Sequence, residues 1–292
     1  MIHKLTIGLL KIISMLPFSF WYFLSDILYF PAKWFYRRKV VVGNIRALYP
    51  KLSDKEINKI ADDFYRNFCD LIVELFKSLS VSKQKMRELA EFVNPEIIDQ
   101  TNGSDKEFLM YSIHNGNWEW LALGCSAGSE YPCSPIVQKQ SSGFADQFMK
   151  HIRSRFGGVA IPKSNAARFI VRNKAEKMNI GILADQSPPF KQPKYWVNFM
   201  GKETAFINGL SQLPYLAQLP CYFARYRRVK RGRYQIEFVK IGEPPYQKGD
   251  LDVLRNYVKE SEALIKSDPS QYLWSHRRWK YERQENEEMT KL

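Results

Sequence analysis

The stretch Glu107-Phe108-Leu109-Met110-Tyr111-Ser112-Ile113-His114-Asn115-Gly116-Asn117-Trp118-Glu119 changes character at its middle. Residues 107–113 form a short apolar run bounded by turn residues, which reads as a buried strand. His114-Asn115-Gly116 reads as a turn, and helical spacing resumes over 117–127. A second apolar run, 180–184, is followed at once by Asp185-Gln186. Working outward, strands are expected at 134–138 and 158–162 and helices at 145–155 and 166–177. Further on come a helix at 205–218, a strand pair at 221–229 and 234–241, and an amphipathic helix at 250–266. Strands alternating with helices predict an α/β fold with a mostly parallel central sheet flanked by helices. Sites in such sheets gather at the carboxyl ends of strands, so His114 and Asp185 are expected to share one crevice.

The segment ahead of this region is of another kind. Residues 5–36 read LTIGLLKIISMLPFSFWYFLSDILYFPAKWFY, with Lys11, Asp26 and Lys33 as the only charges. Pro17 is expected to interrupt a helix here and Pro31 to end one. The apolar stretch 12–25 is short for a span, which takes about 20 residues. It is also too aromatic for a cleaved signal peptide, and no small-residue cleavage site follows. The expectation is an N-terminal hydrophobic membrane-anchoring helix over 1–36, or a hairpin lying in one leaflet. The alternative is an amphipathic helix buried in the core. Arg37-Arg38-Lys39 follows directly, which places the rest on the cytoplasmic side of a membrane. Ser53-x-x-Glu56 is a capping box opening a helix over 53–79, and 82–92 reads as a short helix. The chain thus divides into an anchor (1–36), an α/β domain (37–281) and a charged tail (282–292) expected to fray.

Composition narrows the function classes. Lys and Arg number 44 against 30 Asp and Glu, a net charge of +14 that calls for an acidic partner. Aromatics reach 14%, a mixture suited to a membrane interface or to single-stranded nucleic acid. A mean hydropathy of −0.38 excludes a multi-span membrane protein. Cys69, Cys125, Cys133 and Cys221 have neither the density of a disulfide scaffold nor CxxC spacing, and read as reduced core residues. The four histidines, His3, His114, His151 and His276, lack paired ligand spacing, so no metal is expected. Residues 225–233 (RYRRVKRGR) read either as a solvated hairpin turn or as a patch for an acidic partner. The aromatics of 190–206 read as core or as the lining of an acyl groove.

His114 stands five residues ahead of Glu119, across a glycine turn into a helix. A carboxylate on one imidazole nitrogen fixes the tautomer and raises the basicity of the other, the arrangement of a general base. The helix N-terminus beside it suits an oxyanion or a phosphate. The bland alternative is a turn-capping histidine and a solvated glutamate.

The block Ile113-His114-Asn115-Gly116-Asn117-Trp118-Glu119-Trp120 resembles the His-x4-Asp/Glu motif of the lysophospholipid acyltransferase superfamily, and within it the lipid A late acyltransferases of lauroyl and myristoyl type. Further blocks agree in order: Arg38-Lys39-Val40-Val41 with Asn44-Ile45 and Tyr49-Pro50, then Ile182-Leu183-Ala184-Asp185-Gln186. Phe199-Met200-Gly201 with Thr204-Ala205 and the run Gln271 to Lys280 complete the set. The resemblance spans residues 1–281. It implies transfer of a fatty acyl chain from acyl carrier protein, or from coenzyme A, to a hydroxyl of a lipid A precursor, with no cofactor. It implies His114 as general base, Glu119 as its orienting partner and Asp185 in support. An arginine of the family falls nearest Arg155, with Arg153 second, as a phosphate-binding candidate, and either also reads as a solvated helix residue. Asn117 and Gln186 complete the substrate-binding candidates. The expected partners are acyl carrier protein, the lipid acceptor and an anionic membrane surface, with no nucleic acid, at the cell inner membrane. Glu at the end of the block, and Ala184-Asp185-Gln186-Ser187 where glycerolipid enzymes carry Pro-Glu-Gly-Thr, argue against glycerol phosphate as acceptor. Three alternatives stand: the same chemistry on an amino-acid lipid or glycolipid, a non-catalytic basic module binding membrane or nucleic acid, and a metal hydrolase built from His114, Glu119 and Asp185, against which the histidine spacing argues.

Overall fold

Residues 109–112 and 179–183 sit at the centre of a seven-stranded sheet in the computed structural model, which describes residues 2–99, 107–140, 142–172 and 177–292. The strands are β1 (Ala90–Phe92), β2 (Leu109–Ser112), β3 (Cys133–Val137), β4 (Ile161–Pro162), β5 (Asn179–Leu183), β6 (Lys194–Phe199), β7 (Lys202–Ile207), β8 (Cys221–Lys230) and β9 (Arg233–Gly242). The order across the sheet is β1-β9-β8-β2-β5-β3-β4. Every neighbouring pair is parallel except the β8–β9 hairpin. The helices are α1 (Ile2–Ser14), α2 (Phe18–Phe35), α3 (Arg38–Leu48), α4 (Asp54–Lys77), α5 (Lys83–Leu89), α6 (Glu96–Asp99), α7 (Trp118–Gly128), α8 (Gly143–Arg153), α9 (Ala166–Arg172), α10 (Gly209–Ala217) and α11 (Asp252–Ser267). The expected mixed α/β architecture with a mostly parallel sheet is therefore observed. Two buried apolar clusters fill the space between sheet and helices. All four cysteines are buried and unbridged.

The sequence readings fail in identifiable places. Residues 205–207 are strand, not helix: β6 and β7 pair antiparallel, with Tyr195 opposite Phe206. Their loop is Met200-Gly201, and both residues have positive φ (53° and 82°), the conformation of the tightest hairpin turn. Pro31 lies inside α2 rather than ending it, and helical bonding continues beyond it through Tyr36 N–H to the Ala32 carbonyl. Helix packing on both sides of Pro31 outweighs its missing donor, as described next. Pro17 does interrupt, between α1 and α2. The tail is docked rather than loose: Thr290 N–H donates to the Trp196 carbonyl at 2.7 Å, and Lys194 pairs with Glu287 at 3.0 Å. The last residues of the helix expected over 166–177, 173–176, lie outside the described residues.

The N-terminus is a pair of helices, not one. α1 and α2 meet at 105°, and among the described residues no single helix is long and apolar enough to cross a membrane. α2 runs antiparallel to α4 along a polar ladder. Lys33 pairs with Asp62 at 2.7 Å, and the Arg66 guanidinium lies 4.2 Å from the Tyr29 ring centroid. Ser25 donates to Asp70 at 2.6 Å and Tyr22 to Glu74 at 2.9 Å. Lys77 Nζ then caps the end of α1 by donating to the carbonyls of Ser14 (2.8 Å) and Leu16 (2.6 Å). The α4 partners recur at three- and four-residue intervals, one face of a helix. The opposite side of α2 is apolar and open, with Phe23 62%, Phe30 64% and Trp34 69% exposed.

The basic run 225–233 is the β8–β9 hairpin, and five of its six cations are engaged within the molecule. Arg225 pairs with Glu237 and Glu260, Arg227 with Glu237, and Arg228 with Asp70. Arg231 pairs with Asp26 and Asp70, and Arg233 donates to the Glu88 carbonyl. Asp70 is thus a buried carboxylate shared by two arginines and a serine. Its replacement by Ala should destabilise the protein by about 3–5 kcal/mol, because the largely buried Arg228 loses its counter-charge. Asp63→Ala, which breaks only the exposed pair with Lys59, should cost about 0–1 kcal/mol. Denaturant unfolding of the detergent-solubilised variants checks both.

Candidate active site

The parallel register of β2 and β5 builds the site. Leu109 lies opposite Ile180 and Ser112 opposite Leu183. Continuing that constant offset of 71 residues places His114 opposite Asp185, two residues past each strand end. Tyr257 of α11 ties the two ends together, its hydroxyl accepting from Ala184 N–H (3.2 Å) and donating to the Ser112 carbonyl (3.1 Å). Asp185 Oδ1 then takes two bonds from His114, one from Nδ1 at 2.7 Å and one from the backbone N–H at 3.1 Å. The carboxylate side chain is 3% exposed and the imidazole 16%, so the imidazole keeps some exposure while its partner is enclosed. Burial pushes the Asp185 carboxyl up, but the charge and hydrogen bonds of His114, with the charge of Arg278, outweigh it. The net value lies below the ordinary carboxylate range.

An acceptor on Nδ1 leaves Nε2 as the lone-pair nitrogen. Gln186 places its amide nitrogen 3.2 Å from Nε2. Trp118 packs edge-on against the imidazole, with ring centroids 5.0 Å apart. The loop is held from behind by residues 271–273. Gly116 N–H donates to the Gln271 carbonyl (2.9 Å) and Leu273 N–H to the His114 carbonyl (3.0 Å). Gly116 has φ +54°, and a Cβ there would stand 3.3 Å from the Tyr234 ring, so the turn needs glycine for both reasons. Asn44 of α3 donates to the carbonyls of Trp274 and His276, both at 2.8 Å. The blocks around residues 44, 114, 185 and 275 therefore meet in space.

The structure does not bring Glu119 to His114. Glu119, on the first turn of α7, turns to α8 and binds the Arg153 fork through two bonds, from Nε at 2.8 Å and Nη2 at 2.5 Å. Both side chains are largely buried. Arg155, the nearer sequence match, donates instead to the Ser78 carbonyl and stacks on Phe156. Burial lowers its ionisation from the ordinary guanidinium value. Asn117 serves the fold: its side chain caps α7 by accepting from Trp120 N–H (3.1 Å) and donates to Glu74 at 2.9 Å. Glu74 is wholly buried and also accepts from Tyr234 (2.7 Å). Burial pushes its carboxyl up to about 7 against the opposing pull of those hydrogen bonds.

Several residues of the site carry no spacing signal. Tyr257, Tyr272 and Arg278 are among them. Arg278 is buried, with Phe206 under its guanidinium. Trp196, Phe199 and Phe206 belong to the core rather than to an open groove. Among the described residues, no cluster of three His, Cys, Asp or Glu side chains is arranged to hold a metal ion.

A carboxylate–imidazole pair whose second nitrogen carries the lone pair, at the carboxyl edge of a parallel sheet, is equipped to take a proton from a hydroxyl that displaces the Gln186 amide there. The family model described as bacterial lipid A biosynthesis acyltransferase matches residues 1–281. No curated protein matches the chain.

The Glu119–Arg153 pair yields a prediction about stability. Arg153→Ala should cost about 3–5 kcal/mol by stranding a buried carboxylate. Adding Glu119→Gln to that variant should recover part of the loss, giving a coupling of about 0.5–3 kcal/mol in a double-mutant cycle measured by denaturant unfolding.

Proposed function

The chain belongs to the family of bacterial lipid A biosynthesis acyltransferases, and from that premise we propose that it moves a fatty acyl chain from acyl carrier protein to a hydroxyl of a lipid A precursor, with His114 as the general base. The observation that carries this reading is the 2.7 Å contact of His114 Nδ1 with Asp185 at the joined ends of β2 and β5. Asp185, rather than Glu119, is the orienting carboxylate in this reading. Glu119 and Arg153 brace α7 against α8, and Asn117 sets the start of α7.

The chemistry balances without a cofactor. The acceptor hydroxyl approaches Nε2 and takes the place of the Gln186 amide there. As its proton passes to Nε2, its oxygen bonds to the thioester carbonyl carbon, giving a tetrahedral oxyanion. The Gln186 N–H, released from Nε2, donates to that oxygen. Collapse breaks the C–S bond, and the thiolate takes the proton from His114. The products are an ester and a free thiol, and His114 returns to its starting form. The imidazolium that exists between the two steps is held by Asp185.

The proposed place of work is the cytoplasmic face of the inner membrane. In support, the open face of α2 carries Phe20, Phe23, Ile27, Phe30, Trp34 and Phe35. Its polar face is already taken by α4, so α1 and α2 would lie in one leaflet with the domain attached. The +14 balance supports an acidic carrier and anionic headgroups, although five of the six 225–233 cations are engaged internally.

Mass spectrometry of lipid A from a host lacking a late acyltransferase tests the reaction. Expression of the protein should add the mass of one acyl chain, and His114→Ala should remove that gain with expression unchanged. A general base contributes about 10²–10⁴-fold, so single-turnover rates should fall at least that far. Equal gains from both proteins would refute His114 as base, and no gain from either would refute the lipid A acceptor. The triple substitution Phe23→Asp, Ile27→Asp and Phe30→Asp should reduce flotation with anionic lipid vesicles by about tenfold or more, since each ring or branched chain is worth about 1.5–3 kcal/mol of burial. Unchanged flotation would remove α2 from the membrane contact.

A further inference from the structure

Arg278 is the one arginine whose three guanidinium nitrogens are all enclosed and all without a hydrogen-bond partner among the described residues. A guanidinium stays charged in proteins, and a charge taken out of water demands a counter-charge. Its surroundings are well defined. Its ring neighbour is Phe206, 4.6 Å from the guanidinium carbon to the centroid. Its carbonyl accepts from Ser187 at 2.8 Å, which fixes residue 278 against the loop that carries Asp185. The ionisable groups facing it are Asp185 at the end of β5, Tyr257 of α11 and Tyr272 of the 271–273 strap. His276 stands beside them, influenced by Asp185, Arg278, His114 and Lys280. Burial pushes His276 down to about 4, so it is uncharged near neutral pH and its buried Nδ1 is also unpartnered. Asp185 is thus the carboxylate available to balance Arg278. The enclosure of the guanidinium rules out contact with substrate, so its influence passes through Asp185.

We propose that Arg278 is a positioning residue for acyl transfer, a buried counter-cation that keeps Asp185 a carboxylate and so keeps the His114 proton on Nδ1 and the Nε2 lone pair free. This rests on the reading of His114 as the base. With Asp185 ionised and Arg278 charged, the cluster carries no net charge while His114 is in its free-base form. Protonating either member of the His114–Asp185 pair adds a positive charge beside Arg278, which opposes it. Removing the cation removes that opposition, so the inactive protonated forms persist to higher pH.

The test is the pH profile of kcat for the full-length protein in detergent. Arg278→Met should shift the acid limb to higher pH, costing about tenfold or more at pH 6 and recovering as pH rises, each pH unit on that limb being a factor of ten. KM should change less than kcat. Arg278→Lys keeps the charge and should keep the limb where the native protein has it. A folded Met variant with an unmoved limb, or with one uniform loss at every pH, would overturn the proposal. Should the Met variant fold too poorly for kinetics, Arg278→Met is placed in the Asp185→Asn background. The double variant should then melt above the single Arg278→Met variant, because neither charge is left alone. No recovery would overturn the pairing. The melting comparison needs no acyl transfer, so it separates failure of this proposal from failure of the acyltransferase reading.

Discussion

Two carboxylates buried on one face of α4, Asp70 and Glu74, tie the N-terminal helices, the β8–β9 hairpin and the start of α7 to one another. Glu74 accepts from Tyr22 of α2, Tyr234 of β9 and Asn117 at the start of α7. Asp70 accepts from Ser25 of α2 and from Arg228 and Arg231 of the β8–β9 hairpin. A carboxylate in the interior is costly unless its acceptor sites are filled, so each residue requires its partners to arrive together. The N-terminal helix pair is for this reason part of the folded domain. α2 gives its polar face to α4 and leaves its apolar face open.

The same constraint reaches the candidate site. Asn117 caps α7 with its oxygen and holds Glu74 with its nitrogen, so neither bond is made without the other in place. α7 begins directly after the His114 loop, and Gly116 at its mouth touches Tyr234, another Glu74 partner. The position of the imidazole is then set from three directions: the β2–β5 register, the 271–273 strap and the capped start of α7.

Much of this was legible in the sequence. The two short apolar runs ending in His114 and Asp185 specified parallel strands, and the strand-end rule brought the two residues together without any local motif. The Ser53–Glu56 capping box gave the start of α4 directly, and both of its bonds form. What was not legible is informative. The five-residue separation of His114 and Glu119 suggested a pair, but a loop with a left-handed glycine and a cap lies between them, and Glu119 leaves the helix toward α8. The β6–β7 hairpin was hidden because Met200 occupies a positive-φ position where Asn or Asp would have signalled the turn. Residues 225–233 read as a hairpin turn or as a patch for an acidic partner, and the hairpin is observed, but the internal pairing of its cations was not visible. Their partners, Asp26, Asp70, Glu237 and Glu260, are contributed by three other elements and the facing strand, which spacing does not reveal.

The electrostatics of the site follow from how few charges it holds. Asp185 faces His114 on one side and Arg278 on another, and the neighbouring groups, Tyr257, Tyr272 and His276, are neutral near pH 7 because burial disfavours their charged forms. Under the proposed mechanism such a site is balanced while His114 is uncharged and gains one positive charge when His114 takes the proton. That charge would then stand next to the negative oxygen formed on the substrate, so the reacting pair is neutral as a whole. The cost falls on the waiting state instead, which must carry a guanidinium without a hydrogen bond in a closed interior. Such a feature lowers stability, and its presence beside Asp185 fits a site whose proposed chemistry requires the ionised carboxylate.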